Sequence, residues 1–242
     1  MKKFCRPFII AGAALLSVPM LQSCLNDDDN DYDYSYWYPD AIVTVKPVVD
    51  EGSEYFFFQL DDNTRLWPVD NSDLPYGEKE VRAFVKYTET DMPEGVDGDV
   101  YQKAVQISWM DSILTKKAVA APQDMDDAGL DLAYGNDPVE IFKDWTVVED
   151  GYITIHYYTN WGDTNIKHSL NLITGLNPDD PYEVCLKHDA NGDYSSASGD
   201  AMVAFRLDGL PDTQGETVKL TLRFDSFSGE KTVKFDYRTR VD

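Results

Sequence analysis
From residue 41 onward, apolar and polar positions alternate with a period of two, the mark of strands with one buried face. The alternation is cleanest near the carboxyl end. Val218, Leu220, Leu222 and Phe224 interleave with Lys219, Thr221 and Arg223, and Val233, Phe235 and Tyr237 with Lys234 and Asp236. In the first half, Ala41 to Val49 reads as a strand. Tyr55 to Leu60 and Arg65 to Val69 flank Asp61-Asp62-Asn63-Thr64, whose short polar side chains suit a hairpin tip. Val81, Ala83, Val85 and Tyr87 alternate with Arg82, Phe84 and Lys86, and a further extended stretch runs from about Tyr101 to Trp109, continuing toward Ile113-Leu114. Five strands in so short a span suit a small barrel, because closure removes exposed edges. The pattern therefore predicts an OB-like barrel over residues 41–118.

The stretch from Ala121 to Pro138 is rich in Asp and carries Gly129, Gly135 and Pro138, so it reads as a loop or domain junction without a helical stripe. Strands return at 139–148, 152–159, 166–174, 181–188 and 200–207, joined by the two clear ones above. Seven strands with closely spaced turn signals predict an antiparallel β-sandwich over residues 119–242. Each strand is expected to turn an apolar face inward and a polar face to water. The fold class is thus all-β, with no internal repeat and no heptad.

The amino terminus has a different pattern. Lys2, Lys3 and Arg6 precede an apolar run from Phe8 to Leu21 that is broken by Gly12 and Pro19. A mature spanning helix needs about 20 apolar residues, so this run fits a secretory signal, residues 1–23. Leu21-Gln22-Ser23-Cys24 has the form of a bacterial lipobox, with cleavage between Ser23 and Cys24 and lipid on the Cys24 thiol. The alternative is an ordinary signal peptide with a cysteine nearby. Two or more acyl chains anchor a protein stably without any spanning helix. Residues 24–40 then form a tether holding Asp27, Asp28, Asp29, Asp31, Asp33 and Asp40 and no base. A run of like charge without apolar partners is a solvated spacer. It also resembles the acidic export signal of surface-exposed lipoproteins of the Bacteroidota, which implies an outer-membrane lipoprotein displayed at the cell surface, with a periplasm-facing anchor as the alternative. Tyr32, Tyr34, Tyr36, Trp37 and Tyr38 within it read as a semi-extended spacer, or as rings lying on the first domain or on a glycan.

Composition narrows the partners. The 242 residues are 43% hydrophobic and 13% aromatic, which suits a folded body, and the net charge is −23. Such acidity excludes nucleic acid as the expected partner, since phosphate binding needs clustered Lys and Arg. It also disfavours electrostatic docking on anionic lipid, leaving the lipid on Cys24 as the membrane contact. Cys5 leaves with the signal, so Cys185 stands without a disulfide partner and reads as structural, with His188 too weak a hint of an activating base.

Several constellations could carry chemistry. Asp189-Ala190-Asn191-Gly192-Asp193, with Ser195 and Asp200 following, alternates oxygen side chains as a calcium loop does, but the glycine comes early and the closing Glu is missing. A turn tip explains the same letters. His156 and His168 on successive strands suggest zinc, yet aligning the apolar faces pairs Ile155 with Leu170 and Ile153 with Leu172, which puts the two imidazoles on opposite faces. Trp109, Tyr157, Tyr158 and Trp161 could form a sugar platform or simply pack in the sheets. Gly135-Asn136-Asp137-Pro138 reads as a structural turn. With 44 acids, a close carboxylate pair carries no signal of glycoside hydrolysis. The chain holds no Gly-x-Ser-x-Gly, phosphate loop or His-Glu-x-x-His, so no cofactor, metal or catalytic residue is expected and the protein is not expected to be an enzyme.

An ordered set of segments resembles the NigD-like lipoproteins. The set runs Ile113-Leu114-Thr115-Lys116, Gly135-Asn136-Asp137-Pro138 with Trp145 after it, His188-Asp189 with Gly192-Asp193, and Val203-Ala204-Phe205-Arg206-Leu207. The resemblance implies an amino-terminal OB-like domain and a carboxyl-terminal β-sandwich. Relatives more often carry Arg before that His and Asn after it, where this chain has Lys187 and Asp189. It also implies a role of bacteriocin-immunity type, in which a lipid-anchored module binds a protein. An accessory glycan-binding lipoprotein is the alternative.

Overall fold
A computed structural model describes residues 38–50, 52–123, 125–194 and 197–241. The signal, the cleavage and lipidation positions Ser23 and Cys24, and all of the tether before Tyr38 lie outside the described residues.

Strands β1 (Ala41–Asp50), β2 (Ser53–Gln59), β3 (Arg65–Pro68), β4 (Val81–Thr90) and β5 (Lys103–Ser112) close into a barrel in the order β1-β2-β3-β5-β4. β1 is long enough to pair with two neighbours, meeting β2 from Thr44↔Gln59 to Asp50↔Ser53 and β4 from Ala41↔Val85 to Val45↔Val81. The predicted tip holds: Asp61 Oδ1 accepts the N–H groups of Asn63 and Thr64, each at 2.8 Å. Alternate residues point inward, so Val43, Val45, Phe58, Leu66, Val85 and Val105 form a dry barrel core.

The chain leaves the barrel at Ile113 and enters the sandwich at once. Strand β6 (Leu114–Lys117) pairs in parallel with a sandwich strand, so residues 114–117 belong with the sandwich rather than with the barrel segment in which the pattern placed them. Alternation alone cannot show where one continuous extended segment changes sheets. β7 (Val119–Ala120) then crosses to the opposite sheet. Next comes a correction, because helix α1 (Asp127–Tyr134) occupies the stretch expected to be a loop. It is short and buries only Leu130 fully, so it has no stripe to read. Its signals are local: Asp126 Oδ1 accepts Gly129 N–H at 2.8 Å at one end, and Gly135 at φ +82° stops the other.

The remaining strands are β8 (Glu140–Ile141), β9 (Val147–Glu149), β10 (Tyr152–Asn160), β11 (Ser169–Thr174), β12 (Glu183–Asp189), β13 (Ser198–Arg206), β14 (Val218–Ser226) and β15 (Gly229–Tyr237). One sheet runs β6-β13-β10-β8 with β9 also on β10, and the other runs β15-β14-β12-β11-β7. The long neighbours pair mostly antiparallel, with parallel contacts at β12/β14, β6/β13 and β7/β11. Between the sheets Ile153, Ile155, Leu172, Leu186, Val203, Phe205, Leu220 and Leu222 are all buried.

Two strands break the expected half-wet pattern. β10 buries Tyr152 and Thr154 as well as Ile153 and Ile155, because the barrel covers its outer face through Ile42, Phe84 and Ile113. β12 buries Cys185 and Lys187 as well as Val184 and Leu186, because α1 and Leu130 cover that side. Each strand thus has a second neighbour.

Candidate functional site
Beside the apolar contacts of Ile42, Phe84 and Ile113 with Tyr152 and Ala204, the barrel meets the sandwich through polar groups. Arg82 is the second residue of β4 and is fully buried. Its Nη1 donates to Thr44 Oγ1 at 3.0 Å, its Nε to Thr154 Oγ1 at 3.2 Å, and its Nη2 to Glu149 Oε2 at 3.4 Å. Barrel and sandwich therefore share one guanidinium. Burial pulls the Arg82 pKa down, opposed by Glu149 and Asp150. Beside it, Lys46 Nζ lies 2.8 Å from Asp150 Oδ1, and the Asp150 N–H donates to Asp62 Oδ1 at 2.8 Å. Glu80 takes Arg240 Nη2 at 3.0 Å and the Tyr152 hydroxyl at 2.7 Å. Burial raises the Glu80 carboxyl, but the bonds from Arg240 and Tyr152 outweigh it and hold the group below the usual carboxylate range.

Next to this network the two bodies part. The N–H of Ile113 donates to Arg82 O at 2.8 Å, and the N–H of Arg82 donates to Thr115 Oγ1 at 3.0 Å. Past that point lies a cleft of about 610 Å³, lined by Tyr76, Lys79, Glu80, Tyr152, Arg206 and residues 112–117. Its size is that of a small-ligand or short-peptide site.

A second polar assembly lies at one end of the sandwich. The turn 135–138 docks on the end of β12: the N–H of Asp137 donates to His188 O at 2.9 Å, and the N–H of Ala190 to Asp137 Oδ2 at 2.8 Å. The approach demands glycine at 135, where a Cβ would sit 2.4 Å from His188 O. His168 Nδ1 faces His188 Nε2 at 2.9 Å, and His188 Nδ1 faces Asp137 O at 3.2 Å. Trp161 stacks on His168 at 5.4 Å between centroids. Asp193 Oδ2 accepts the N–H groups of Gly162 and Asp163 at 2.8 and 2.9 Å and lies 3.5 Å from His168 Nε2. Burial lowers the His188 pKa, with His168 adding to the effect against Asp137 and Asp189.

These contacts locate the residues singled out in the sequence. The oxygens of the Asp189–Asp193 segment serve the backbone: Asp189 Oδ1 accepts Asn191 N–H at 2.7 Å, Asn191 and Gly192 take positive φ, and Asp193 holds the 162–163 loop. A turn accounts for those letters. Asp200 is on β13, where its Oδ2 meets His156 Nε2 at 2.7 Å, and Ser195 lies outside the described residues. Among the described residues, no three His, Cys, Asp or Glu side chains are placed to hold a metal.

His156 and His168 are not on paired strands. β10 pairs with β13, Ile155 opposite Val203, while β11 pairs with β12, Leu170 opposite His188. The expected Ile155–Leu170 register therefore fails, because consecutive strands sit in opposite sheets of the sandwich. The contact it concealed, His168 with His188, had no signal in the spacing. Cys185 is buried against Leu130 and Ile173, and burial raises its thiol to about 11. The four aromatics do not form one platform: Trp109 is on the barrel opposite Lys86, Tyr157 is in the sandwich core, Tyr158 meets Phe227 and Trp161 stacks on His168. An aromatic group that the sequence reading missed lies on the barrel, where Trp67 is 5.3 Å from Tyr55 and 4.9 Å from Tyr101, all three partly exposed. Strand alternation was its only trace.

Comparison with known families resolves the lineage. Residues 42–113 match the NigD-like N-terminal OB domain, and residues 122–237 match the NigD-like C-terminal β-sandwich domain. The chain belongs to the NigD-like family. Among solved structures it is similar to a provisionally named toxin-related protein from Parabacteroides distasonis, at 32% identity and TM-score 0.66, covering 82% of this chain and 92% of that one. It shares its fold with a NigD-like immunity protein from Bacteroides caccae, at 18% identity and TM-score 0.54, covering 82% and 96%. It also shares it with a provisionally named lipoprotein from Bacteroides fragilis, at 12% identity and TM-score 0.51, covering 83% and 99%. No curated protein matches the chain.

The segments that carried the NigD-like resemblance fall into two places. Leu114–Lys116 pairs in parallel with Val203–Phe205 at the cleft, and 135–138, 188–189 and 192–193 converge at the sandwich end. Trp145 stands apart, largely exposed.

Proposed function
We propose that this NigD-like chain is a lipid-anchored, surface-displayed outer-membrane protein that works as a non-enzymatic interaction module, of the immunity type suggested by its B. caccae relative. The observation that carries the interaction reading is where polar groups are spent. The imidazoles of His168 and His188 and the turn carboxylates are engaged in holding elements together, whereas the junction cleft presents the exposed Lys79 and Lys117. The lipobox at Ser23-Cys24 and the Asp run after it supply the anchoring and display. The B. fragilis relative named as a lipoprotein supports the same reading.

The test has two arms. An alkyne-tagged fatty acid fed to cells should label the wild type and not Cys24→Ala, and protease added to intact cells should remove the body. A body shaved only after outer-membrane rupture would place it on the periplasmic side. Crosslinked pull-down from surface-labelled cells should capture a protein partner, and its failure to do so would end the interaction reading. A second reading, glycan binding, has the Tyr55–Trp67–Tyr101 group in its favour, because partly exposed rings can stack on sugars. A glycan array with Trp67→Ala as control separates the two.

A further inference from the structure
The floor of the junction cleft is an unfinished sheet edge. Among the described residues, β6 is the last strand of its sheet and pairs with β13. The N–H of Ala118 donates to Arg206 O at 3.0 Å, which sets the parity of the ladder: residues 114 and 116 turn their backbone groups to β13, and residues 113, 115 and 117 turn theirs outward. At Ile113 the outward N–H is taken by Arg82 O. Beyond it, the same parity turns the backbone groups of Thr115 and Lys117 away from β13, and both residues line the cleft. An open edge of this kind is a template for another strand, and folds usually cover or shorten it. Here the cleft leaves it accessible, and Leu114 at its mouth is 62% exposed.

The charge around this edge runs against the rest of the molecule. In a chain of net charge −23, the cleft is lined by Lys79, Lys116, Lys117 and Arg206 with Glu80 as its carboxylate. Glu80 is occupied by Arg240 and Tyr152. Lys116 turns its ammonium away, to Leu170 O and to Asn171 Oδ1 at 3.0 Å, and Arg206 leans on Asp208. Lys79 and Lys117 both line the cleft and are exposed. Main-chain pairing at an edge supplies affinity in strand addition, and flanking side chains supply selectivity.

We propose that the cleft takes an extended acidic segment of a protein partner, added as a strand on β6 at Thr115 and Lys117, with its carboxylates meeting Lys79 and Lys117. This rests on the interaction-module reading and names the partner's chemistry. The test uses the full chain and three labelled eight-residue peptides: one alternating Glu with Val and Thr, the same composition with a central Pro, and one with Lys for Glu. The Glu peptide should bind, protecting the amides of Thr115 and Lys117 from hydrogen exchange. It should lose at least tenfold in affinity in Lys79→Glu and Lys117→Glu variants whose melting is unchanged, and the Pro and Lys peptides should bind at least tenfold more weakly.

Equal binding of the Pro peptide would mean attraction by charge alone and would overturn strand addition. Binding of polygalacturonate with silence from every peptide would overturn it in favour of an anionic sugar. A protein partner captured from cells equally well by wild type and by both charge-reversed variants would remove the cleft from the account while leaving the interaction reading intact.

Discussion
His168 Nδ1 lies 2.9 Å from His188 Nε2, and this contact assigns the protons of both rings. His188 Nδ1 faces a carbonyl, Asp137 O, which can only accept, so His188 carries its proton there. Its Nε2 is then an acceptor, and His168 Nδ1–H is the donor. A second proton on His188 would require His168 Nδ1 to accept, with the His168 proton moved to Nε2 beside Asp193 Oδ2. The pair ties β12, the 135–138 turn and the strand entry at His168 together.

That relationship fixes a pH dependence. Burial, with His168, depresses the folded pKa of His188 below its ordinary value near 6.5. Between the depressed folded value and the ordinary one, the unfolded chain binds more protons, so stability rises with pH through that window. The contribution is complete above about pH 6.5 and is lost as pH falls below it. Urea denaturation across this range should show the decline, and His188→Gln should flatten it. An unchanged slope in that variant would contradict the assignment.

Arg82 joins the two bodies through Thr44, Thr154 and Glu149. Removing one partner of a buried network leaves the others unanswered at a cost of about 3 kcal/mol. Arg82→Ala should lower unfolding stability by that order, and Arg82→Lys by less, since one ammonium can answer only part of a guanidinium's partners. Chemical denaturation measures both.

Gly135 and Gly192 share a positive φ but not an environment. A Cβ at Gly192 meets nothing within 4 Å, so Gly192→Ala should cost only the left-handed backbone penalty, about 1 kcal/mol. At Gly135 the added carbon also meets the backbone of His188 and Asp189 at 2.4–2.6 Å. Gly135→Ala should therefore cost about 1–3 kcal/mol more and shift the His188 resonances in NMR, while Gly192→Ala leaves them in place.

Cys185 is buried, with its thiol raised to about 11. The thiolate is the reactive form, so the native protein at pH 8 should resist a disulfide reagent and react fully once denatured. Rapid labelling of the folded chain would contradict the burial.

Alternation made the barrel strands legible to within a few residues at their ends, because alternate positions fill the barrel core. It was blurred on β10 and β12, whose outer faces the barrel and α1 cover, and it missed α1, which buries only Leu130 fully. The turn chemistry at Gly135-Asn136-Asp137-Pro138 was readable from local backbone preference. The pairing of His168 with His188 was not, because twenty residues and a change of neighbouring strand separate them. The barrel aromatics Tyr55, Trp67 and Tyr101 likewise gather only when the sheet closes.

By itself the sequence determined the alternating strands, the all-β class and the net acidity, since each rests on neighbouring residues or on totals along the chain. The tertiary structure alone decided that Arg82 bridges two bodies, that β6 belongs to the sandwich, and that Lys79 and Lys117 flank an open strand edge. Those facts depend on which distant backbones approach one another. Sheet closure and sandwich packing settle that through shared burial, and no local pattern in the chain records it.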